Sequence, residues 1–462
     1  MPDIIHLETK GVQINDEVVK GTLVAVAGDN LGSHQIGGFT ENFSTSNHLC
    51  RYCYANKNQL NKRDSITYRT ISSYEDDVTI STMLGEITNG VKCNSVLNQS
   101  EYFHVCSPGL PPCLAHDIYE GILQYDFMLC INELIAKKYF TLDMLNEKIQ
   151  TVRFNSEVQY ENVPLIKKGE KLVGSASENL RLLLVIPFAL YDMEIDNPCW
   201  EMLLLLREIN SILLSVNISI GQVAYLKILI SEYIDARVNL FPQIPLRPKH
   251  HYFSHYSYLI KKFGPLKHLW TLRFESKHRY FKSILKHSPN FKNILHTLSE
   301  KHQFLQALHA SSSVLFLDKV SCNDAIEFSC QSSDQDMLSY VASHCTFQGK
   351  KSISKKSVFR VITYAAGMYV RVCCEKNRYD DIVLCLVRYV VVNECYDDLF
   401  FVGNMVEIFQ NKPKGLFESG VETPTKLIGC HFNNLLTHEP MMVKVRNDKI
   451  IFSFKSAPFE EL

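Results

Sequence analysis

The periodicity of the apolar residues changes once along this chain, and that change constrains the fold more than any other feature. From Ala115 to about Leu240, apolar residues recur at the spacing of buried or amphipathic helices. From Ser357 to Phe454 they form short runs that are rich in β-branched and aromatic residues, as strands are. The pattern therefore predicts a block of several helices, followed by a small, separate all-β domain of the barrel or sandwich type.

Ahead of the helical block, the run Val18–Ala27 is rich in β-forming residues and leads into Gly28-Asp29-Asn30. We predict a buried strand that ends at Asp29, followed by loop-rich chain with one short helix up to residue 105. The pattern divides the chain into a strand-and-loop segment at 1–60, a mainly helical segment at 61–246, a second helical segment at 247–310, a connector at 311–356 and the β domain at 357–462.

Composition excludes several classes of protein. The chain has 462 residues, and its 46% hydrophobic content is too high for a disordered chain. Its 15 cysteines are odd in number and scattered, which gives no support to a disulfide scaffold. No apolar run reaches the roughly 20 residues of a membrane span. We expect a soluble protein of a reducing compartment, with neither a membrane nor a small-molecule substrate as its partner.

The formal net charge of −1 conceals a strongly basic block. Between Arg247 and His302, twelve Lys and Arg face only two acids, Glu275 and Glu300, which gives a local net charge of +10. Aromatic residues are interleaved with these cations, a combination typical of polyanion binding, although a solvated helix face is the alternative. The candidate DNA contacts in this block are Arg273, Lys277, Arg279 and Lys282.

Two short motifs could share one metal ion. Cys50-Arg-Tyr-Cys53 offers two thiolates, and His251 and His255, four residues apart on a predicted helix, offer two imidazoles from one face. Taken alone, the CxxC is also open to a redox role or to chance, and His250 is the alternative to His251. Zinc bound by all four would join residues 198 positions apart, so it would close a long loop rather than form a zinc finger.

Two carboxylates are candidates for binding a catalytic metal. Asp29 follows the predicted strand, and a carboxylate at a rigid strand end beside an open loop suits a divalent cation. A turn-forming aspartate is the alternative. Glu275 stands alone in the most basic part of the chain, where it is either a salt-bridge partner or a metal ligand at a phosphodiester site.

The order of these features resembles a known family, the DDE/D transposases of the CACTA/Mirage/Chapaev (CMC) group. The resemblance covers roughly residues 18–305, and it rests on five segments in the same order rather than on any single motif. In chain order they are Gly28-Asp29-Asn30-Leu31 with Gly37-Gly38-Phe39, Cys50-Arg-Tyr-Cys53, Pro111–Asp117 with Glu120-Gly121, Pro248–His255, and Phe263-Gly264-Pro265 with Trp270 and Phe274-Glu275.

This resemblance implies an RNase H-like α/β core, partial at 1–60 and completed at 247–310, with a zinc-clamped, mainly helical insertion at 61–246 and the small C-terminal all-β domain after it. Asp29 would be the second catalytic carboxylate and Glu275 the third, and His116 would lie near the scissile phosphate. Mg²⁺ or Mn²⁺ at the carboxylates would supply two-metal cleavage and transfer of DNA strands. The structural zinc would be bound by Cys50, Cys53, His251 and His255.

The sequence departs from the family pattern at the first aspartate, which the family carries on an earlier strand. The residues before Asp29 offer four acids, none in a strand-like apolar run: Asp3, Glu8, Asp16 and Glu17. We therefore expect an N-terminally truncated, transposon-derived protein of the nucleus that binds DNA without autonomous catalysis, with self-association left open. One alternative is a domesticated DNA- or chromatin-binding protein without enzymatic activity. Another is an interaction scaffold with no nucleic-acid role.

Overall fold

The computed structural model combines helices with an antiparallel sheet, as the change in periodicity predicts. For Arg273 it describes the backbone alone. The described residues are 1–60, 66–152, 163–287, 292–311, 319–322, 324–328, 334–360, 362–372, 382–420, 426–446 and 449–456.

The described residues up to 110 contain little regular structure. The elements are α1 (Pro2–Thr9), β1 (Val12–Ile14), β2 (Glu17–Val19), α2 (Asn30–Ile36), α3 (Ile71–Leu84) and two 3₁₀ turns at Lys57–Gln59 and Val96–Gln99. The prediction of a buried strand over Val18–Ala27 is wrong, because pairing ends at Val19 and Val24 is 83% exposed. An apolar run becomes a buried strand only where neighbouring strands cover it, and in the described chain β2 pairs with β1 alone.

A body of packed helices follows, as expected from the spacing of its apolar residues. It consists of a π-helix (Ala115–Ile122), α4 (Leu123–Ala136), α5 (Leu142–Thr151), α6 (Ala176–Ala189), α7 (Pro198–Leu213) and α8 (Ile220–Leu240). Side-chain caps fix several starts; at α8, for example, Ser219 and Gln222 form a reciprocal capping box. The apolar faces of α4, α6 and α7 meet in one core, where Phe127, Leu183 and Leu206 are fully buried.

Four more helices complete this part of the chain. They are α9 (Pro248–Ser254), α10 (Tyr256–Phe263), α11 (Leu272–His287) and α12 (Ile294–Ser311). Helices α9 and α10 enter the core, where Phe253 and Leu259 are fully buried. Helices α11 and α12 pair with each other, since the Tyr280 hydroxyl donates to the carbonyl of Lys301 at 3.1 Å.

The C-terminal strands form one antiparallel sheet of nine strands, which confirms the predicted β region. Its strands are β3 (Ile326–Glu327), β4 (Lys351–Ser354), β7 (Tyr369–Arg371), β8 (Ile382–Asn393), β9 (Leu399–Asn411), β10 (Leu416–Gly420), β11 (Leu427–His431), β12 (Met442–Arg446) and β13 (Lys449–Ser453). A separate hairpin pairs β5 (Lys356–Phe359) with β6 (Ile362–Ala365). The two long central strands, β8 and β9, pair with each other. Strand β8 also pairs with β4 and β7, and strand β9 also pairs with β10 and β11.

The structure differs from the sequence prediction of the β region in two respects. The stretch 311–356, predicted as a connector, contributes β3, β4 and α13 (Gln335–His344), which packs on the sheet. The sheet also shares a core with the helices, because Leu416 and Met442 lie in the same apolar cluster as α7. The indole N–H of Trp200 donates to the carbonyl of Pro413 at 3.0 Å across this contact. None of the described helices combines the length and apolar character needed to cross a bilayer.

Candidate metal centre and acid–histidine cluster

Two cysteines and two histidines from opposite ends of the helical body meet inside it. Cys50 Sγ lies 3.4 Å from His255 Nε2, and Cys53 Sγ lies 3.2 Å from His251 Nε2. The two Nε2 atoms are 3.1 Å apart, and all four ligand atoms lie within 4.8 Å of one another. Zinc binds thiolates at ~2.3 Å and imidazoles at ~2.0 Å, so tetrahedral ligands stand roughly 3.3–3.8 Å apart. These four side chains could therefore hold a metal ion, and the donor set suits zinc.

Local structure positions all four ligands in a closed site. Backbone N–H groups of Tyr52 and Ala55 point at the sulfurs of the CxxC turn, at 3.3 Å and 3.4 Å, and such contacts favour thiolates. His251 lies in α9, and His255 lies at the junction of α9 with α10. Each ligand is at most 2% exposed. A buried site of four protein ligands leaves no position open for a substrate, which is typical of structural rather than catalytic metal centres.

The two cysteines of this centre differ in pKa. Burial opposes ionisation of Cys50, but a hydrogen bond with Cys53 and the nearby histidines outweigh it and hold the pKa of Cys50 well below its usual value. The same hydrogen bond, together with burial, raises the pKa of Cys53. Burial lowers the pKa of His255, which favours the neutral imidazole that a metal ligand must be.

His250 is engaged elsewhere, so the structure favours His251 as the ligand. His250 Nε2 lies 2.9 Å from Asp126 Oδ2 on α4, and Arg237 of α8 donates to the other carboxylate oxygen at 2.9 Å. Burial opposes ionisation of Asp126, yet His250 and Arg237 hold its pKa below the usual value. The buried contact between His250 and Asp126 fixes the rotation of α9 next to the metal centre.

A second group of side chains brings the predicted His116 and Glu275 together. His116 Nε2 lies 3.7 Å from Glu275 Oε1, and the Thr271 hydroxyl donates to the same oxygen at 2.9 Å. His116 Nδ1 lies 3.2 Å from Cys113 Sγ, which in turn lies 3.1 Å from Thr271 Oγ1. The hydrogen bond with Cys113, and then the carboxylates of Glu275 and Glu120, raise the pKa of His116 to about 9. We call Cys113, His116, Thr271 and Glu275 the acid–histidine cluster.

A lysine supports the turn that carries His116. Lys249 Nζ donates to the backbone carbonyls of His116 and Glu120, at 2.6 Å and 3.2 Å. Both carbonyls belong to the π-helix, in which Glu120 departs from helical geometry with φ −106° and ψ 16°. A Cβ at Gly121 would lie 2.4 Å from the Lys249 side chain, so glycine makes room for this contact. Three consecutive residues of α9 thus meet three different elements. Lys249 contacts the π-helix, His250 contacts α4 and His251 contacts the CxxC turn.

The structure places Asp29 at the start of a helix rather than at the end of a strand. Its carboxylate accepts from the backbone N–H of Gly32 at 2.7 Å and caps α2. The neighbouring Asn30 donates to Asp117, in the π-helix, at 2.5 Å. The start of α2 therefore approaches the element that carries His116, but among the described residues Asp29 makes no hydrogen bond to the acid–histidine cluster.

The predicted DNA contacts lie on α11, but not on one face. Lys277, Arg279 and Lys282 are all exposed, whereas the side chain of Arg273 lies outside the described part of the chain. Lys277 Nζ is 5.8 Å from the ring centroid of Tyr280. At 100° per residue, Lys277 projects from the opposite side of the helix to Arg279 and Lys282.

Reasoning from the sequence missed several residues that support these two groups. Thr271 had a usable signal, since it precedes Glu275 by four residues and such pairs share a helix face. Asn30 and Asp126 are ordinary polar residues in sequence, and only the packing of the helices reveals their partners. Lys249 likewise lies beside the HxxxH motif without any pattern that indicates its contact with a π-helix.

No protein-family model matches the chain, and no curated protein matches it. Within the described ranges, the Cys50–Cys53–His251–His255 group is the one set of three or more Cys, His, Asp or Glu ligands spaced to hold a metal ion. The function therefore has to be inferred from the metal centre, the acid–histidine cluster and the charge of α11.

Proposed function

We propose that this chain is a transposon-derived, transposase-like DNA-binding protein of the DDE/D type, with an RNase H-like ancestry. In this proposal it acts in the nucleus, either as a single chain or as a homo-oligomer. The acid–histidine cluster carries the proposal. It joins side chains such as Cys113 and Thr271 that lie 158 positions apart. The segment with His116 and the segment with Glu275 are two of the five segments on which the resemblance to the CMC transposases rests, and 3.7 Å separates their side chains.

The metal centre supports the same proposal. Zinc at Cys50, Cys53, His251 and His255 would hold the two ends of the helical body together, which is the clamp that the resemblance implies. The four ligands are buried in the main core, so the centre would act on stability rather than on DNA.

In this proposal His116 contacts a DNA phosphate. With a pKa of about 9, its imidazole carries a positive charge at neutral pH, and its side chain is 25% exposed. Cys113 and Thr271 contact the ring at Nδ1, and Glu275 lies near Nε2, so the charge is held in one position. A fixed, partly exposed cation binds a phosphate without the entropic cost of ordering a long side chain.

A specific observation favours the second candidate, a domesticated DNA- or chromatin-binding protein that does not cut. Asp29 caps α2 and Glu275 accepts from Thr271, and among the described residues neither carboxylate belongs to a group of three or more metal-ligand side chains. In this candidate, DNA cleavage and strand transfer belong to the ancestor and not to this chain.

The two candidates are separated by measuring binding and cleavage together. Purified protein and the Glu275→Gln variant are compared for binding to labelled duplex DNA and for nicking or strand transfer with Mg²⁺ or Mn²⁺. Glu300→Gln is the matched control, because it removes the other acid of the basic block from the exposed surface of α12. We expect all three to bind and none to cut.

Each other outcome has a definite meaning. Cutting by the wild type and by Glu300→Gln but not by Glu275→Gln would restore the enzymatic candidate. Binding to duplex DNA that does not weaken with added salt, or no binding at all, would contradict the proposal, because the basic block should act through phosphate contacts.

A further inference from the structure

Helix α11 has two chemically different sides, and α12 covers one of them. Tyr280 and Phe281 are partly buried, and their rings lie 6.3 Å and 5.6 Å from the ring of His302 on α12. Ile284 and Leu285, one turn further along, are partly buried as well. These four positions share one side of the helix. The packing of α12 therefore leaves the opposite side of α11 open to solvent.

The open side of α11 carries a straight row of charges that begins at Glu275. Arg279, Lys282 and Lys286 follow it at intervals of four, three and four residues, which places all four side chains within about 60° around the helix. All four residues are exposed. We call Arg279, Lys282 and Lys286 the cationic row.

The cationic row has no acidic counterpart to neutralise it. Within the part of the chain that the structure describes, no carboxylate lies within salt-bridge distance of Arg279, Lys282 or Lys286. From Leu272 to Ser311 the sequence holds seven Lys and Arg but only the acids Glu275 and Glu300, a net charge of +5. Like charges at these spacings repel one another and destabilise an isolated helix. A polyanion along the helix would relieve this repulsion.

The geometry of the row suits a nucleic-acid backbone. At 1.5 Å per residue, the line from Glu275 to Lys286 is roughly 16 Å long. Phosphates of one strand in duplex DNA rise about 3.4 Å each along the axis, so the row passes several of them. Its start at Glu275 lies 3.7 Å from the imidazole of His116, which could meet a phosphate at that end.

We infer that Arg279, Lys282 and Lys286 bind the phosphate backbone of a DNA duplex and direct it towards the acid–histidine cluster. This inference rests on the proposed DNA binding and assigns it to one face of one helix. It adds Lys286 to the contacts expected from sequence and removes Lys277, which projects from the opposite side.

The test compares two triple variants that remove the same charge from the full-length protein. One is Arg279→Gln/Lys282→Gln/Lys286→Gln. The control is Lys167→Gln/Lys168→Gln/Lys277→Gln, which removes one lysine from the other side of α11 and two exposed lysines before α6. Binding to one labelled duplex of random sequence is titrated at several salt concentrations, and thermal unfolding checks that both variants are folded.

We expect the row variant to lower the slope of log K against log [salt] by about 2.7, because each duplex phosphate contact contributes ~0.9. Its affinity at ~0.1 M salt should fall on the order of tenfold to a hundredfold. The control should change the slope by less than about 0.9. The same titration with single-stranded DNA distinguishes the two forms, since a loss of about 2.1 there, without the loss on duplex, would overturn the duplex assignment.

Two further results separate this inference from the proposed function. If the wild type binds DNA with a steep salt dependence and the two triple variants lose equal amounts, the cationic row is wrong and the proposed function stands. If the wild type shows no salt-dependent DNA binding, the proposed function fails first and this inference fails with it.

Discussion

The metal centre and the acid–histidine cluster each connect the segment 247–310 to an earlier segment of the chain, but they do so in opposite ways. The metal centre is closed: its four ligands are no more than 2% exposed. The cluster is open: the side chain of His116 is 25% exposed and that of Glu275 is 47% exposed. The buried group can act only on the stability of the fold, whereas the exposed group can meet a ligand. The two tasks are thus assigned to separate residues within one helical body.

The largest expected effect comes from removing the two cysteine ligands of the metal centre. Cys50→Ser with Cys53→Ser should eliminate the bound zinc, about one ion per chain in the wild type, and should cost on the order of 5 kcal/mol of unfolding free energy, because loss of a structural metal belongs to the most damaging changes. Metal analysis and denaturant unfolding measure both quantities.

The matched control for this pair is Cys93→Ser with Cys395→Ser, since both cysteines are exposed. It should keep the metal and the stability of the wild type. Folded wild-type protein that contains no zinc under metal-replete conditions would show that these four side chains do not form a zinc site.

A smaller effect is expected at Lys249 of α9, which supports the acid–histidine cluster. Lys249→Met removes two hydrogen bonds to the carbonyls of the π-helix and should lower the unfolding free energy by about 2 kcal/mol. The zinc content should not change, while the NMR signals of the His116 imidazole should shift because its turn is no longer held.

Lys261→Met on the exposed surface of α10 is the control, and it should leave both the stability and the His116 signals unchanged. Loss of zinc in Lys249→Met would show that the metal centre and the acid–histidine cluster depend on each other.

The smallest effect concerns the titration of His116 in the acid–histidine cluster. The pKa of His116 is raised to about 9 from an ordinary value of 6.5, so its protonated form contributes stability that is complete below pH 6.5 and is lost as the pH rises through 9. Glu275→Gln removes one cause of this shift and should move the titration of His116, followed by NMR, to lower pH.

Glu300→Gln is the control for the titration, and His116 should keep its wild-type pKa in that variant. A His116 that titrates near 6.5 in the wild type would mean that the cluster does not hold a charge, and its contrast with the metal centre would then be one of exposure alone.

The sequence predicted those parts of the molecule that depend on spacing within one segment. The helical body follows from its apolar periodicity, and the two halves of the metal centre follow from CxxC and HxxxH. The strand expected at Val18–Ala27 failed because burial depends on neighbouring strands, which the run itself does not encode. Asp29-Asn30-Leu31-Gly32 also contains a helix-start signal, and that signal prevailed over the strand reading.

The contacts between distant segments could not be predicted from the sequence. The choice between His250 and His251 depends on Asp126, which lies more than a hundred positions earlier and has no distinguishing pattern around it. The packing of the sheet against the helices includes a hydrogen bond from the indole of Trp200 on α7 to the carbonyl of Pro413. This contact can form only after α7 and the sheet have folded.

Helix α9 also limits how the sequence of this protein can change over evolution. Its residues Lys249, His250 and His251 point in three directions, and each meets a different element. Inserting or deleting one residue ahead of them would turn all three by about 100° and break the three contacts at once. Gaps between related sequences should therefore avoid the seven residues of α9, Pro248–Ser254. A motif as short as HxxxH is thus embedded in a segment whose length, and not only its ligands, is fixed.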